Sequence, residues 1–161
     1  MKASIVTNNR RAPGGLFVLH ATSLPGNPYD GHTLRDIIDH TETLTGCAIQ
    51  RAYVDKGYRG HDVRNPRRVF ISGQKRGVFG IIKRELRRRS AIEPIIGHLK
   101  ADGHLGRCYL KGRAGDAANV ILSAVGHNFR RILAWLRFLC CLIITALVAA
   151  INQPNRLKSA C

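Results

Sequence analysis

The chain has 161 residues, long enough for one domain with a packed core. Its 26 Lys and Arg stand against 10 Asp and Glu, a formal net charge of +16. A protein this basic repels itself, so a polyanion is the expected partner: nucleic acid first, with ribosomal RNA or an anionic membrane surface behind it. The 45% apolar content excludes a wholly disordered basic tail.

Lys2 to Thr7 and Leu16 to Ser23 are short apolar runs around the turn-rich NNRRAPGG, which reads as a hairpin. Only one Lys separates Met1 from the first run, so no secretory leader is expected, and the start reads as if it lay inside a fold. LPGNPYDG is a loop, and Asp30 or Thr33 is placed to cap the helix after it. That helix is expected over Thr33 to Thr45, with Leu34, Ile37, Ile38 and Leu44 near helical spacing and Gly46 at its end. Asp36, Asp39 and Glu42 are expected on its solvated face.

Ala48 to Asp55 reads as a strand running into the glycine turn KGYRGH, and Val69 to Ser72 as a further short strand. Ten Lys or Arg and one acid, Glu85, lie between Arg64 and Arg89. A helix is predicted from Ile81 to about Lys100, with a kink or fresh start near Glu93 because Pro94 cannot sit in a helix interior. A Gly-rich connector spans Ala101 to Gly115, and Asp116 is placed to cap a last helix from about Ala117 to Leu136 or beyond. The fourteen apolar residues Phe138 to Ile151 fall short of the roughly 20 needed to cross a bilayer. A buried helix or a sticky extension is expected there. The five cysteines, Cys47, Cys108, Cys140, Cys141 and Cys161, form no C-x-x-C pair. Free thiols in a reducing cytosol are expected, with no zinc site.

The acids are few enough to sort individually. Three lie on the first helix, Asp30 and Asp116 read as caps, Asp102 lies in the connector, and Asp62 follows the glycine turn. Glu85 is expected to pair with Arg89 at i,i+4. Asp55 ends a strand before a glycine turn, where a carboxylate can face a ligand or simply form the turn. Glu93 follows Arg89 by four residues and precedes Lys100 by seven, all on one helix stripe. Such a stripe suits an ion pair on a solvated helix. It also suits a metal-holding carboxylate flanked by phosphate-binding cations.

AYVDKGYRGH (Ala52 to His61), RRRSAIEPIIGHLK (Arg87 to Lys100) and the tail from His104 to Arg137 together resemble the C-terminal part of a DDE-type bacterial insertion-sequence transposase. The first stretch is similar to that family's second-aspartate motif and the second to its R-x3-E-x6-K third-acid motif. Leu86 stands where the family often has Tyr. The resemblance implies an α/β, RNase H-like mixed sheet with flanking helices, N-terminally truncated, and a C-terminal helical tail. It implies a partial DDE catalytic domain over residues 1–137 and an apolar extension over 138–161.

Carried over residue by residue, Asp55 and Glu93 become the second and third catalytic acids and metal ligands. Arg89, Lys100, Arg87, Arg88, Lys56 and Arg59 become contacts to DNA or its phosphates. Two Mg²⁺ or Mn²⁺ ions are implied for the complete enzyme, one activating water or a DNA 3′-hydroxyl and one stabilising the leaving oxygen. No acid lies between Met1 and Tyr29 to serve as the family's first aspartate. Little or no cleavage is therefore expected from this chain alone. The implied partners are terminal inverted repeats, target DNA, and a homo-oligomer or an intact transposase copy. The implied place is the bacterial cytoplasm at the nucleoid, with no membrane partner. The other expected role is a non-catalytic basic DNA-binding fragment that occupies transposon ends or inhibits an intact transposase.

Overall fold

The computed structural model describes residues 2–10, 13–64 and 67–152. The predicted hairpin is present: β1 (Lys2–Thr7) pairs antiparallel with β2 (Val18–Leu24), with a register shift between Val6 and Thr7. Helix α1 (Asp30–Thr45) follows and stops at Gly46, which takes φ 65° and returns its N–H to Glu42 O. Strand β3 (Arg51–Val54) pairs in parallel with β4 (Arg68–Ile71). Between them Lys56–Tyr58 forms a 3₁₀ turn.

The long basic helix is broken where expected. Helix α2 (Gly80–Arg88) passes through a 3₁₀ turn at Arg89–Ala91 into α3 (Ile92–Ala101). Pro94 then sits in the first turn of α3, where a missing N–H costs nothing because that donor has no helical partner. Helix α4 (Gly112–Ile151) runs 40 residues, about 60 Å at 1.5 Å per residue.

The main core forms where the hairpin meets α3 and α4. Val18, Ile95, Leu99 and Ala124 are buried together, with Ile5, Leu16, Ala21 and Leu105 packed against them. Asn128 pins α4 to β2: its Oδ1 accepts from Val18 N at 2.9 Å, and its Nδ2 donates to Val18 O at 2.8 Å. Ser4, beside Ile5 on β1, is buried and lines one cavity with Tyr58 of the 3₁₀ turn. Successive strand residues face opposite ways, so the hairpin carries α3 and α4 on one face and the turn on the other. Helix α1, whose Leu34, Ile37 and Ile38 are buried, packs against both β2 and that turn.

The α/β class and the C-terminal helical tail are as expected. Among the described residues, however, the four strands form two separate two-stranded ladders and not one hydrogen-bonded mixed sheet.

Several local expectations are corrected. No side-chain cap starts α1 or α4; Tyr29 and Lys111 hold those positions. Asp30 instead binds Lys2 Nζ at 2.7 Å, and Asp116 lies inside α4. Asp39 and Glu42 are not merely solvated, since both pair with Arg67 and Glu42 also accepts from Ile49 N at 2.6 Å. These bonds tie α1 to the approaches of β3 and β4.

The apolar end of α4 is not buried. From Phe129 to Asn152 every residue is exposed except Leu139, which is half-buried. Because the run continues an existing helix, α4 contains an 18-residue window of mean hydropathy 2.4, none of it buried, that is long and apolar enough to cross a membrane by length and composition. Cys47, Cys108, Cys140 and Cys141 are free thiols, as expected; Cys161 lies outside the described residues.

Candidate functional site

The site lies where the end of β3 meets the break between α2 and α3. Alternation places Arg51, Tyr53 and Asp55 on one face of the strand. Glu85, Arg89 and Glu93 recur every four residues along the helical segment opposite. Two strand residues advance about 6.6 Å and four helix residues about 6.0 Å, so the two rows stay nearly in step. Glu85 meets Arg51 and Tyr53, and Arg89 meets Asp55.

The inner rung is built around Glu85. It accepts from Arg51 Nε at 3.0 Å, Arg51 Nη2 at 3.3 Å and the Tyr53 hydroxyl. The expected i,i+4 pair with Arg89 does not form, because β3 brings better donors to the same carboxylate. Burial pushes Glu85 upward, but the bonds from Tyr53 and Arg51 and the charges of Arg51 and Arg88 outweigh it and hold the carboxyl below its usual range. The Tyr53 hydroxyl is pushed up to about 12, by burial first and then by Glu85. Asn9 joins this rung to the hairpin: its Nδ2 donates to Glu85 O at 2.9 Å, and its carbonyl accepts from Arg88.

The outer rung holds the two predicted acids. Arg89 Nη1 lies 2.7 Å from Asp55 Oδ1, and Arg89 Nη2 lies 3.4 Å from Glu93 Oε1. One guanidinium, only 14% exposed, thus bridges two carboxylates that are each about two-thirds exposed (67% and 68%). Asp55 comes from the end of a parallel strand and Glu93 from the first turn of a helix. They are 38 positions apart in sequence and share one cation.

The other predicted contacts fall unevenly around this pair. Lys56, Arg59, Arg87 and Lys100 are exposed, while Arg88 is half-buried against Asn9. Of the ten cations between Arg64 and Arg89, seven are exposed: Arg64, Arg68, Lys75, Arg76, Lys83, Arg84 and Arg87. Arg67 is engaged by Asp39 and Glu42.

Asp30 comes close without joining the pair. Its Oδ2 is 2.7 Å from where a Cβ on Gly57 would stand, so a side chain two residues beyond Asp55 would have to push that carboxylate aside. Lys2 already neutralises it. Among the described residues, no three His, Cys, Asp or Glu side chains gather into a metal site.

Two exposed carboxylates facing one cation position do fit a single Mg²⁺, which is commonly held by one or two carboxylates with water and substrate phosphates completing the shell. They do not supply the ligands of a two-ion site.

The Arg51–Tyr53–Glu85 rung was missed by sequence reasoning. Period-two alternation already put Arg51 and Tyr53 on the face of Asp55, and that was the available signal. Which helix would face them was not written locally.

Comparison with known proteins gives one match. Residues 73–133 match the Transposase DDE domain family. The matched segment contains Arg87, Arg88, Arg89, Glu93 and Lys100, while Asp55, Lys56 and Arg59 precede it. No curated protein and no solved structure matches the chain.

Proposed function

We propose, for a chain that carries a Transposase DDE domain segment over residues 73–133, that Asp55 and Glu93 are two of the carboxylates of a DNA-processing metal site in an RNase H-like catalytic domain. DDE transposases act on DNA, generally use divalent metal and are typically cytosolic. The observation that carries the reading is the shared guanidinium: two acids from separate elements converge on one cation position at a strand end, beside exposed basic residues.

In this reading Asp55 and Glu93 hold Mg²⁺ or Mn²⁺. When bound, the ion polarises a phosphodiester and the attacking oxygen. Arg89, once it yields a carboxylate to the ion, turns its fork to phosphate oxygens, which guanidinium suits. Lys56, Arg59, Arg87 and Lys100 fix the DNA backbone. Arg88 supports them from the hairpin side. Residues 1–137 form the DNA-processing part, and 138–161 an apolar extension of the chain.

The chain alone cleaves DNA poorly, because two carboxylates do not hold two ions. Purified protein is mixed with duplexes carrying insertion-sequence inverted repeats, with Mg²⁺ or Mn²⁺. The expected result is binding without efficient cleavage. Robust cleavage that disappears in Asp55→Ala would refute the two-carboxylate limit.

A second reading is favoured by the seven exposed cations in the basic stretch: the chain is a non-catalytic fragment that occupies transposon ends, as a homo-oligomer or beside an intact transposase. Both readings require electrostatic DNA binding. Four phosphate contacts, from Lys56, Arg59, Arg87 and Lys100, give a log–log salt slope of about −3.6, or roughly 100-fold weaker binding from 50 to 200 mM salt. A slope near zero overturns both. Intact binding by Glu93→Gln alongside lost cleavage in a complemented assembly separates catalysis from occupancy.

A further inference from the structure

Among the described residues, the last stretch of α4 stands clear of the packed core. The loop of the hairpin reaches the helix as far as Trp135: Arg131 Nε donates to Gly14 O at 2.8 Å, and a Cβ on Gly14 would stand 3.6 Å from Trp135 Cβ. Beyond that point the helix runs on to Ile151 with every residue exposed except half-buried Leu139. Leu142, Ile143 and Ile144 are 51%, 60% and 59% exposed. Successive helix residues point about 100° apart, so these three alone face round the whole circumference.

That geometry selects what can cover the segment. A second helix packs on one stripe roughly 100° wide and leaves the rest wet. A helix that is apolar all round needs apolar surroundings on every side, and hydrocarbon supplies them. In hydrocarbon each polar group must also find its partner within the chain. Between Phe138 and Ile151 the one hydroxyl, amide or charged side chain is Thr145. Its hydroxyl donates to Cys141 O at 2.7 Å, one turn back along the same helix.

Length and charge agree with that surrounding. Trp135 to Ile151 is 17 residues, about 25 Å at 1.5 Å per residue. This is the lower end of the length that crosses a bilayer, and a bilayer thins by a few Å to meet a short helix. Trp135 stands at the body end of the run, where an indole settles among headgroups. Arg137, half a turn further on, can reach back to the same level along its own stem. Arg130, Arg131 and the rest of the +16 chain favour anionic headgroups.

We propose that α4 from Trp135 to Ile151 inserts into a lipid bilayer with anionic headgroups, with Trp135 at the interface, and holds the basic body against that surface.

The test uses the full 161-residue chain without metal or DNA, so its outcome is independent of the reading of Asp55 and Glu93. The chain is mixed with vesicles of phosphatidylcholine and phosphatidylglycerol in equal parts and floated through a density gradient. Flotation should survive about 1 M salt, where the Debye length falls to about 3 Å and surface attraction is screened. Trp135 is the chain's single tryptophan, so its emission reports depth. That emission should shift to the blue, and lipids brominated near the headgroup should quench it more than lipids brominated at the chain end. Cys140 and Cys141, exposed free thiols in the segment, should lose labelling by a polar maleimide while exposed Cys47 keeps it. Ile143→Lys puts a charge at the middle of the segment and should weaken vesicle partitioning about 100-fold. Ile143 lies two turns beyond Trp135, so the same variant should leave thermal unfolding of the body unchanged.

Flotation that is lost at high salt overturns the proposal, because the cations then only adsorb to the surface. So does partitioning that Ile143→Lys leaves unaltered. A chain that stays off the vesicles overturns it as well, and sedimentation as a dimer with Cys140 and Cys141 protected would then assign the segment to a second copy.

Discussion

Removing the Glu85 charge by Glu85→Gln tests whether the inner rung holds the outer one in place. Glu85 is 15% exposed and Arg51 39% exposed. A bond to a buried charged group is worth about 1.5–3 kcal/mol, whereas an exposed ion pair contributes about 0–1 kcal/mol. Glu85 and Tyr53 are half-buried, so the Tyr53 bond alone, taken toward the lower part of that range, gives a loss of about 2 kcal/mol. For a chain of this size that lowers Tm by about 4–8 °C. Thermal unfolding by circular dichroism at pH 7 measures it, with Tyr53→Phe and the double variant completing a cycle. A coupling of about 1 kcal/mol is expected; singles that add within about 0.3–0.5 kcal/mol would mean the two groups do not interact, and the reasoning would fail. The acid side gives a second check. The Glu85 carboxyl is held below its usual range, so its stabilisation is present above the unfolded carboxyl pKa and is lost as pH falls through the lower folded value. The wild-type advantage over the Gln variant should therefore vanish in acid and persist at neutral pH.

Leu99 is fully buried at the centre of the core between hairpin, α3 and α4. Leu99→Ala should cost about 3 kcal/mol, within the usual 2–5 kcal/mol for such a cavity, and urea unfolding should show the midpoint fall with an unchanged slope. His127 and His20 are both held below the ordinary imidazole range, in each case by burial first, with nearby cations contributing at His127 and His40 at His20. The unfolded chain then binds more protons between the folded values and about pH 6.5, so stability should fall as pH drops from 7.5 toward 5.5. His127→Gln should flatten that dependence in melts across the range; an unaltered profile would show that His127 does not govern it.

The local grammar of the chain was legible. The hairpin, the stop at Gly46, the strand before Asp55 and the break before Pro94 follow from turn residues, periodicity and the missing proline N–H. Helix starts were less legible, because Asp30 and Asp116 have sequences that suit caps but Lys2 takes the first and α4 begins four residues before the second. The sequence left the end of α4 open between a buried helix and a sticky extension, because an apolar run records what a helix can bury, not whether anything packs on it.

Asp55 and Glu93 were singled out from motif and position alone. Their sharing of Arg89 and the support from Glu85, Tyr53, Arg51 and Asn9 arise only when β3 is laid against α2 and α3. The reason is distance along the chain. Periodicity fixes which face a residue takes within its own element, and composition fixes the charge a partner must carry. Which faces meet depends on contacts between segments tens of residues apart, and only the folded chain decides those.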